Sequence, residues 1–305
     1  MALYLCPEKV HRNFKKMSLP ANQPDRGRAF FDILFSAGDQ TRTTALIADG
    51  LRAILDHVKE LLIDVECLVE HERFSRAWFL IATADEELGK CHVLLDCLRL
   101  DVLRHSSSLK KLSQAFYDHI DKYAYMRLWR LGQLREHSWW TTNDAFKLFN
   151  VERVRLWKAT SSSYDEPPAE PDMPHDTYFS RESNLYVDIL ENGGWSAPAP
   201  VWAREQFNEP WKQFELRHQT KSHLAAFESL KQGGAFDNTA LLAMNGIWKG
   251  HYVNEDTQPT KLEDLWRRTA RIVSGLCNLT QENLLASPLC FWPCYHALQT
   301  KPGSF

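Results

Sequence analysis

Two carboxylates, a glycine and an ammonium stand together in the string EELGK, Glu86 to Lys90, and an aromatic ring, an imidazole and a second ammonium follow at three-residue steps in Phe116, His119 and Lys122. On a helix, Glu86 and Lys90 are four apart and Glu87 and Lys90 three apart, so either carboxylate can reach the ammonium within one turn. A solvated ion pair accounts for that spacing equally well. Gly89 asks for more, because a mid-helix glycine costs about 1 kcal/mol relative to alanine and needs a packing or functional reason. Close approach by a neighbouring helix would supply one. For His119 the ordinary reading is a structural histidine, and the chemical one sets it opposite Glu86 or Glu87 across a bundle.

Other groups offer less. From Arg104 to Lys158 there are eleven Lys or Arg against five Asp or Glu, interleaved with Tyr123, Tyr125, Trp129, Trp139 and Trp140. Such a stretch can hold single-stranded RNA by phosphate attraction and base stacking, although rings at helical spacing also describe a core. Cys290, Cys294 and His296 form C-x3-C-x-H, with His251 or Cys277 as conceivable further zinc ligands. No second paired cluster accompanies them, so buried packing of cysteines among aromatic rings is the expectation, with no metal and no cofactor. The strings expected for a P-loop, a dinucleotide fold, a zincin or an α/β-hydrolase are missing.

These groups need elements to position them. Between Ile47 and Leu68 the apolar residues Ile47, Leu51, Ile54, Val58, Leu61, Val65 and Leu68 alternate steps of four and three, the seam of one helix, with Thr41, Thr43 and Thr44 as its caps. A second helix is expected from Glu72 to Leu103, where Phe74, Trp78, Ile81, Leu88, Cys91 and Leu95 recur, and the two should pack as a hairpin. A third runs from Leu109 to Leu131 on Leu112, Phe116, Ile120, Tyr123 and Met126, starting near Ser106 to Ser108. The stretch SSSYDEPPAEPDMPH from Ser161 reads as a linker or exposed loop, NLYVDIL as a short strand ended by Glu191 to Gly194, and residues 210–231, 239–248 and 261–276 as helices.

Length and composition agree with this plan. At 305 residues the chain exceeds the usual span of about 100 to 200 per domain, and a net charge of -3 excludes nucleic-acid binding along the whole length. With no secretory leader and no apolar run of bilayer length, the expectation is a cytoplasmic protein off the membrane. Seven scattered cysteines point to reduced thiols, mostly buried. The division expected is an N-terminal extension over 1–34, a helical bundle over 35–160, a Pro- and acid-rich loop over 161–180, and a strand and loop followed by helices over 181–305.

In order along the chain, the helix pair ending in EELGK, the F-x-x-H-x-x-K of Phe116, His119 and Lys122, and RESNLYVDILENGGWSAP, with Arg181, Tyr186 and Asp188, resemble the AbiV-type abortive-infection family of the HEPN superfamily. The likeness covers roughly residues 35 to 200. It implies a mainly α fold: a HEPN-like antiparallel helical bundle with a short β/loop insertion and a helical C-terminal extension. It also implies a bacterial antiviral-defence protein, with a homodimer, a phage protein and RNA as the partners to consider.

Many HEPN relatives are metal-independent ribonucleases in which an R-x4-6-H pair handles the ribose proton and the phosphate charge. The composition predicts about two or three such pairs by chance, and the chain has four: Arg52 with His57, Arg99 with His105, Arg130 with His137, and Arg217 with His223. Arg130 and His137, at the end of the third helix beside Lys122, Arg127 and Arg135, are the ranked catalytic pair. Arg181 has Asp188 where a histidine would be wanted. Two mechanisms follow, a ribonuclease acting through Arg130 and His137, or a non-catalytic helical module that arrests phage or host translation, with Glu86, Glu87, Lys90, His119 and Lys122 ordering its helix interface. The second is preferred.

Overall fold

The computed structural model describes residues 26–35, 38–134, 142–161, 188–189, 195–196, 210–254, 256–290 and 293–299. Its helices are α1 (Arg26–Phe35), α2 (Gln40–Glu70), α3 (Phe74–Leu98), α4 (Ser106–Ala115), α5 (His119–Leu134), α6 (Thr142–Ser161), α7 (Pro210–Gln232), α8 (Asn238–Trp248), α9 (Pro259–Ser274) and α10 (Gln281–Leu285). Two 3-10 turns, Pro288–Cys290 and Ala297–Gln299, complete the C-terminal part. The fold is mainly α, a helical bundle of the kind the resemblance implies. Of the expected strand, only Asp188 and Ile189 lie within the described residues, as β1 (Asp188–Ile189) antiparallel to β2 (Trp195–Ser196), with Asp188 opposite Ser196. The loop expected over 161–180 lies, beyond Ser161, outside the described residues. Among the described residues no helix is long and apolar enough to cross a membrane.

The helix pair forms as its periodicity requires. Ile47, Leu51, Ile54, Val58, Leu61 and Val65 are all buried along one side of α2. A three-residue turn reverses the chain, with Glu72 at φ 56° in the left-handed region. α3 then runs back antiparallel, so that Gly50 of α2 faces Leu94 of α3, each twenty-two residues from Glu72. The caps differ from the expectation. Asp39, not a threonine, caps α2, its carboxylate accepting from the N–H groups of Thr41 at 2.9 Å and Arg42 at 3.1 Å. Thr43 instead donates to the Leu34 carbonyl at 2.6 Å, which ties α1 to α2, and Thr44 donates to that of Gln40 at 2.8 Å, one turn back in α2 itself.

The third helix is two helices. α4 ends at Ala115, the Tyr117 N–H turns back to the Gln114 carbonyl at 3.0 Å, and the Asp118 carboxylate accepts from the Asp121 N–H at 3.0 Å to start α5. A side chain that satisfies an orphan N–H makes a restart as favourable as continuation. His119 is therefore the first residue of α5 and not a mid-helix residue.

α3 is the central element. It packs against α2, α4, α5, α7 and α8; from Cys91 to Leu98 every residue is buried, while Arg76, Thr83, Glu87 and Lys90 keep one side of its earlier turns partly open. One hydrophobic cluster runs from Leu34 to Leu298, and a smaller one of Val65, Ala77, Trp78 and Ile81 fills the turn end of the hairpin.

Gly89 is the point of closest approach. A Cβ there would lie 2.7 Å from the Lys122 carbonyl oxygen and 3.0 Å from the Lys122 Cβ, so α5 sits against bare α3 backbone. Gly89→Ala, although alanine favours helix, should lower stability by about 1–3 kcal/mol through this clash. The readout is the urea midpoint, and an unchanged or raised midpoint would mean that the two helices separate at little cost.

Candidate functional site

Where α5 crosses Gly89, the carboxylate of Glu86 is 4% exposed and bridges two groups of α5. The His119 Nδ1 lies 2.5 Å from Glu86 Oε2, and the Lys122 ammonium donates to the same oxygen at 2.9 Å. Lys122 is as buried as its partner, whereas the His119 side chain is 43% exposed. His119 thus turns one edge of its ring inward to a carboxylate and leaves another at the surface. Beside it Lys90 donates to Glu87 at 2.6 Å within the same turn and stands 5.3 Å from the centroid of Phe116, which stacks on Phe30 of α1 at 4.4 Å. The structure therefore gathers Glu86, Glu87, Lys90, Phe116, His119 and Lys122 in one place.

A second set of polar groups lies deeper. Asp85 accepts from Arg130 Nη2 at 2.5 Å and from the Thr220 hydroxyl at 2.7 Å. Two turns on along α3, His92 Nε2 meets His223 Nε2 at 2.9 Å, inside a cage of Tyr125, Trp129 and Phe227. Burial, and then the charge of Arg99, pushes His92 down to about 3, and burial first, with His92 and Arg130 adding to it, holds His223 well below the usual histidine range. Both rings are neutral near pH 7.

One turn further, Asp96 accepts from Arg99 at 2.5 Å, from the Tyr125 hydroxyl at 2.6 Å and from the Cys294 N–H at 2.7 Å. Burial raises its carboxyl, against the pull of Arg99. On the far side of α5, Asp121 pairs with Arg153 at 2.6 Å, and burial lifts it to about 6 despite that guanidinium.

Sequence reasoning missed Asp85, His92, Asp96 and Thr220, and singled out His223 only as the partner of Arg217. Part of the signal was present: Asp85, His92 and Asp96 are seven and four apart, a polar stripe on the side of the helix opposite to Arg76, Thr83, Glu87 and Lys90.

The remaining candidates fall differently. Arg130 is in the Asp85 pair, while His137 is outside the described residues. So are Arg181 and Tyr186, and Asp188 is described only as part of the ladder. Tyr123, Tyr125 and Trp129 are core residues and have no face for a base to stack on, which corrects that part of the RNA reading. Trp139 and Trp140 lie outside the described residues. Cys290 and Cys294 are buried, Cys290 directed at the Trp266 carbonyl, and His296 rests on Phe146 and Tyr252.

Two outcomes follow. Glu86→Gln leaves the Lys122 ammonium buried against a neutral amide, and a broken buried pair of this kind costs about 3–5 kcal/mol. The urea midpoint should fall accordingly and recover in part when Lys122→Met is added; a single variant as stable as the parent would mean that the pair is hydrated. Acid should act through the imidazole cage. Above about pH 6.5 both rings are neutral folded and unfolded; below it the unfolded chain takes protons that the folded rings refuse. Stability present at pH 7 is therefore lost as pH falls from about 6.5 toward 3, by up to about 1.4 kcal/mol per unit for each ring. His92→Leu combined with His223→Leu should flatten that slope, and an unchanged slope would place the acid sensitivity elsewhere.

No curated protein and no solved structure matches the chain. A family model described as AbiV, HEPN_AbiV, matches residues 46–231, from the second turn of α2 to the end of α7, and so takes in the Glu86 site, the Asp85 and His92 contacts and both helices that supply their partners. That span is more than half of the chain, and the protein belongs to the AbiV family of HEPN proteins.

Proposed function

We propose that this chain is a cytoplasmic antiviral-defence protein of the abortive-infection type that works without catalysis, as a homodimeric helical module that engages a phage protein and arrests phage or host translation. The observation carrying the non-catalytic part is the engagement of Arg130, the ranked catalytic arginine, whose guanidinium is held on buried Asp85 at 2.5 Å. A ribonuclease of this kind has to present a guanidinium and an imidazole to one phosphate.

Each of the other three pairs also has a member engaged within the fold. Arg52 binds Asp49, Asp237 and the Phe236 carbonyl. Arg99 is buried on Asp96 and the Leu289 carbonyl. His223 faces His92 in the aromatic cage. On this reading Glu86, Lys122 and His119 set the spacing of α3 and α5, and the helix surfaces so ordered meet the partner. The antiviral role and the dimer rest on the family resemblance.

In metal-free buffer, purified protein should leave labelled total RNA intact, and in infected cells the His137→Ala variant should protect as well as the parent. Metal-independent cleavage that disappears in His137→Ala would replace this reading with the endoribonuclease one. Light scattering at micromolar concentration should give twice the chain mass, and a monomer there would remove the dimer.

A further inference from the structure

Two helix surfaces, far apart in the sequence, carry matching features that the fold does not use. On the outer side of α2, Ile63 is 67% exposed, and Cys67, one turn on, is exposed as well. Glu60, Asp64 and Glu70 flank them, all exposed and in no ion pair among the described residues. The lysines beside this stripe are engaged elsewhere, Lys59 with Glu228 at 3.0 Å, Lys221 with Glu66 at 2.5 Å and Lys231 with Asp56. What is left is negative charge around an uncovered aliphatic side chain.

At the end of α9 the pattern has the opposite sign. Ile272 is 38% exposed, and Leu276, four residues on and just past the helix, is 45% exposed. Arg267 and Arg268 lie in the turn before, held by Glu263 at 2.6 Å and Asp264 at 3.8 Å, and among the described residues no acid pairs with Arg271. The helix dipole accounts for cations in a last turn, but not for bare aliphatic side chains beside them. Leu262, Leu265, Trp266 and Val273 already seat the inner face of α9, so Ile272 and Leu276 are not needed for that.

Single exposed aliphatic residues are ordinary on a protein surface. These two patches differ in fitting each other. Each sets two apolar side chains four residues apart, Ile63 with Cys67 and Ile272 with Leu276, so that one pair can cover the other at the spacing of a helix turn. Acids border the first pair and arginines the second, which gives the covered centre a rim of opposite charges. Within one chain α9 packs on α8, α10 and the Pro288–Cys290 turn, and α2 packs on α1, α3, α7 and α8.

We infer that the end of α9 in one protomer docks on the Ile63 stripe of α2 in a second copy, and the reverse, so that a two-fold dimer is closed by one contact made twice. A lone helix contact falls short of the about 800 Å² per partner of a stable interface, and the symmetry doubles it. The inference rests on the homodimer of the reading above and names its surfaces. α9 lies past the residues that match the family model, so the resemblance does not supply this contact.

Analytical ultracentrifugation of the full-length chain at micromolar concentration tests it. Arg268→Glu with Arg271→Glu, and separately Glu60→Lys with Asp64→Lys, should each weaken dimerisation at least about tenfold by setting like charges together. Mixed in equal amounts, the two variants should recover the dimer, because an acidic α9 then meets a basic α2 while the unaltered surfaces meet on the other side. All four positions are at the surface, so the helix content read by circular dichroism should stay that of the parent. The parent dimer should also weaken as salt rises from about 0.05 M to about 0.5 M. A monomeric parent would remove the dimer itself and this contact with it. A parent dimer that both variants retain, or a mixture of them that stays monomeric, would overturn this contact and leave the dimer standing on other surfaces.

Discussion

The side of a helix that packs on its neighbours has no water against which to carry charge, and α3 nevertheless buries Asp85, Glu86, His92 and Asp96. Each of them is met by a different set of groups: Asp85 by Arg130 of α5 and Thr220 of α7, Glu86 by His119 and Lys122 of α5, His92 by His223 of α7, and Asp96 by Tyr125, Arg99 and the backbone of Cys294. A buried charge without its partner is far more costly than an apolar residue in its place. The pairs therefore act less as a source of stability than as a code for which helix lies where, since a slip of α5 or α7 by one turn would strand several of them together. The apolar seam of α2 against α3 supplies the cohesion that such a code lacks.

That constraint also decides what the polar residues are available for. An arginine that answers a buried aspartate is withheld from a phosphate, and the bundle places Arg130, Arg99 and Arg153 in that position. His119 is the partial exception, with its ring anchored on Glu86 while much of it remains at the surface. In this member of the AbiV family, the pattern from EELGK to the His119 turn thus reads as architecture first: Gly89 lets α5 approach, Glu86 receives its two cations, and the surface follows from that register.

What could be read without coordinates was what repeats locally. The α2 seam, the return helix and the need for a close neighbour at Gly89 all follow from spacing within one or two turns. The break before His119 was hidden because Leu112, Phe116, Ile120 and Tyr123 keep helical spacing across it, and nothing in the composition marks Asp118 as a cap. Asp39 was passed over for three threonines because which oxygen caps α2 depends on where Leu34 and Gln40 put their carbonyls. The deeper contacts were out of reach for another reason. Thr220 is 135 residues from Asp85 and His223 is 131 from His92, and no local period relates them. The polar stripe of α3 announced that partners must exist, without naming them.

The central claim is that the buried groups of α3 are energetically tied to their partners, and Asp85 with Arg130 is where structure and function meet. The direct measurement is a double-mutant cycle with Asp85→Asn, Arg130→Gln and the double variant, each followed by urea unfolding. Tied groups predict a coupling of about 1–3 kcal/mol, with the double variant less unstable than the sum of the two singles. A coupling indistinguishable from zero would mean that Arg130 is not held by α3, and would contradict the account.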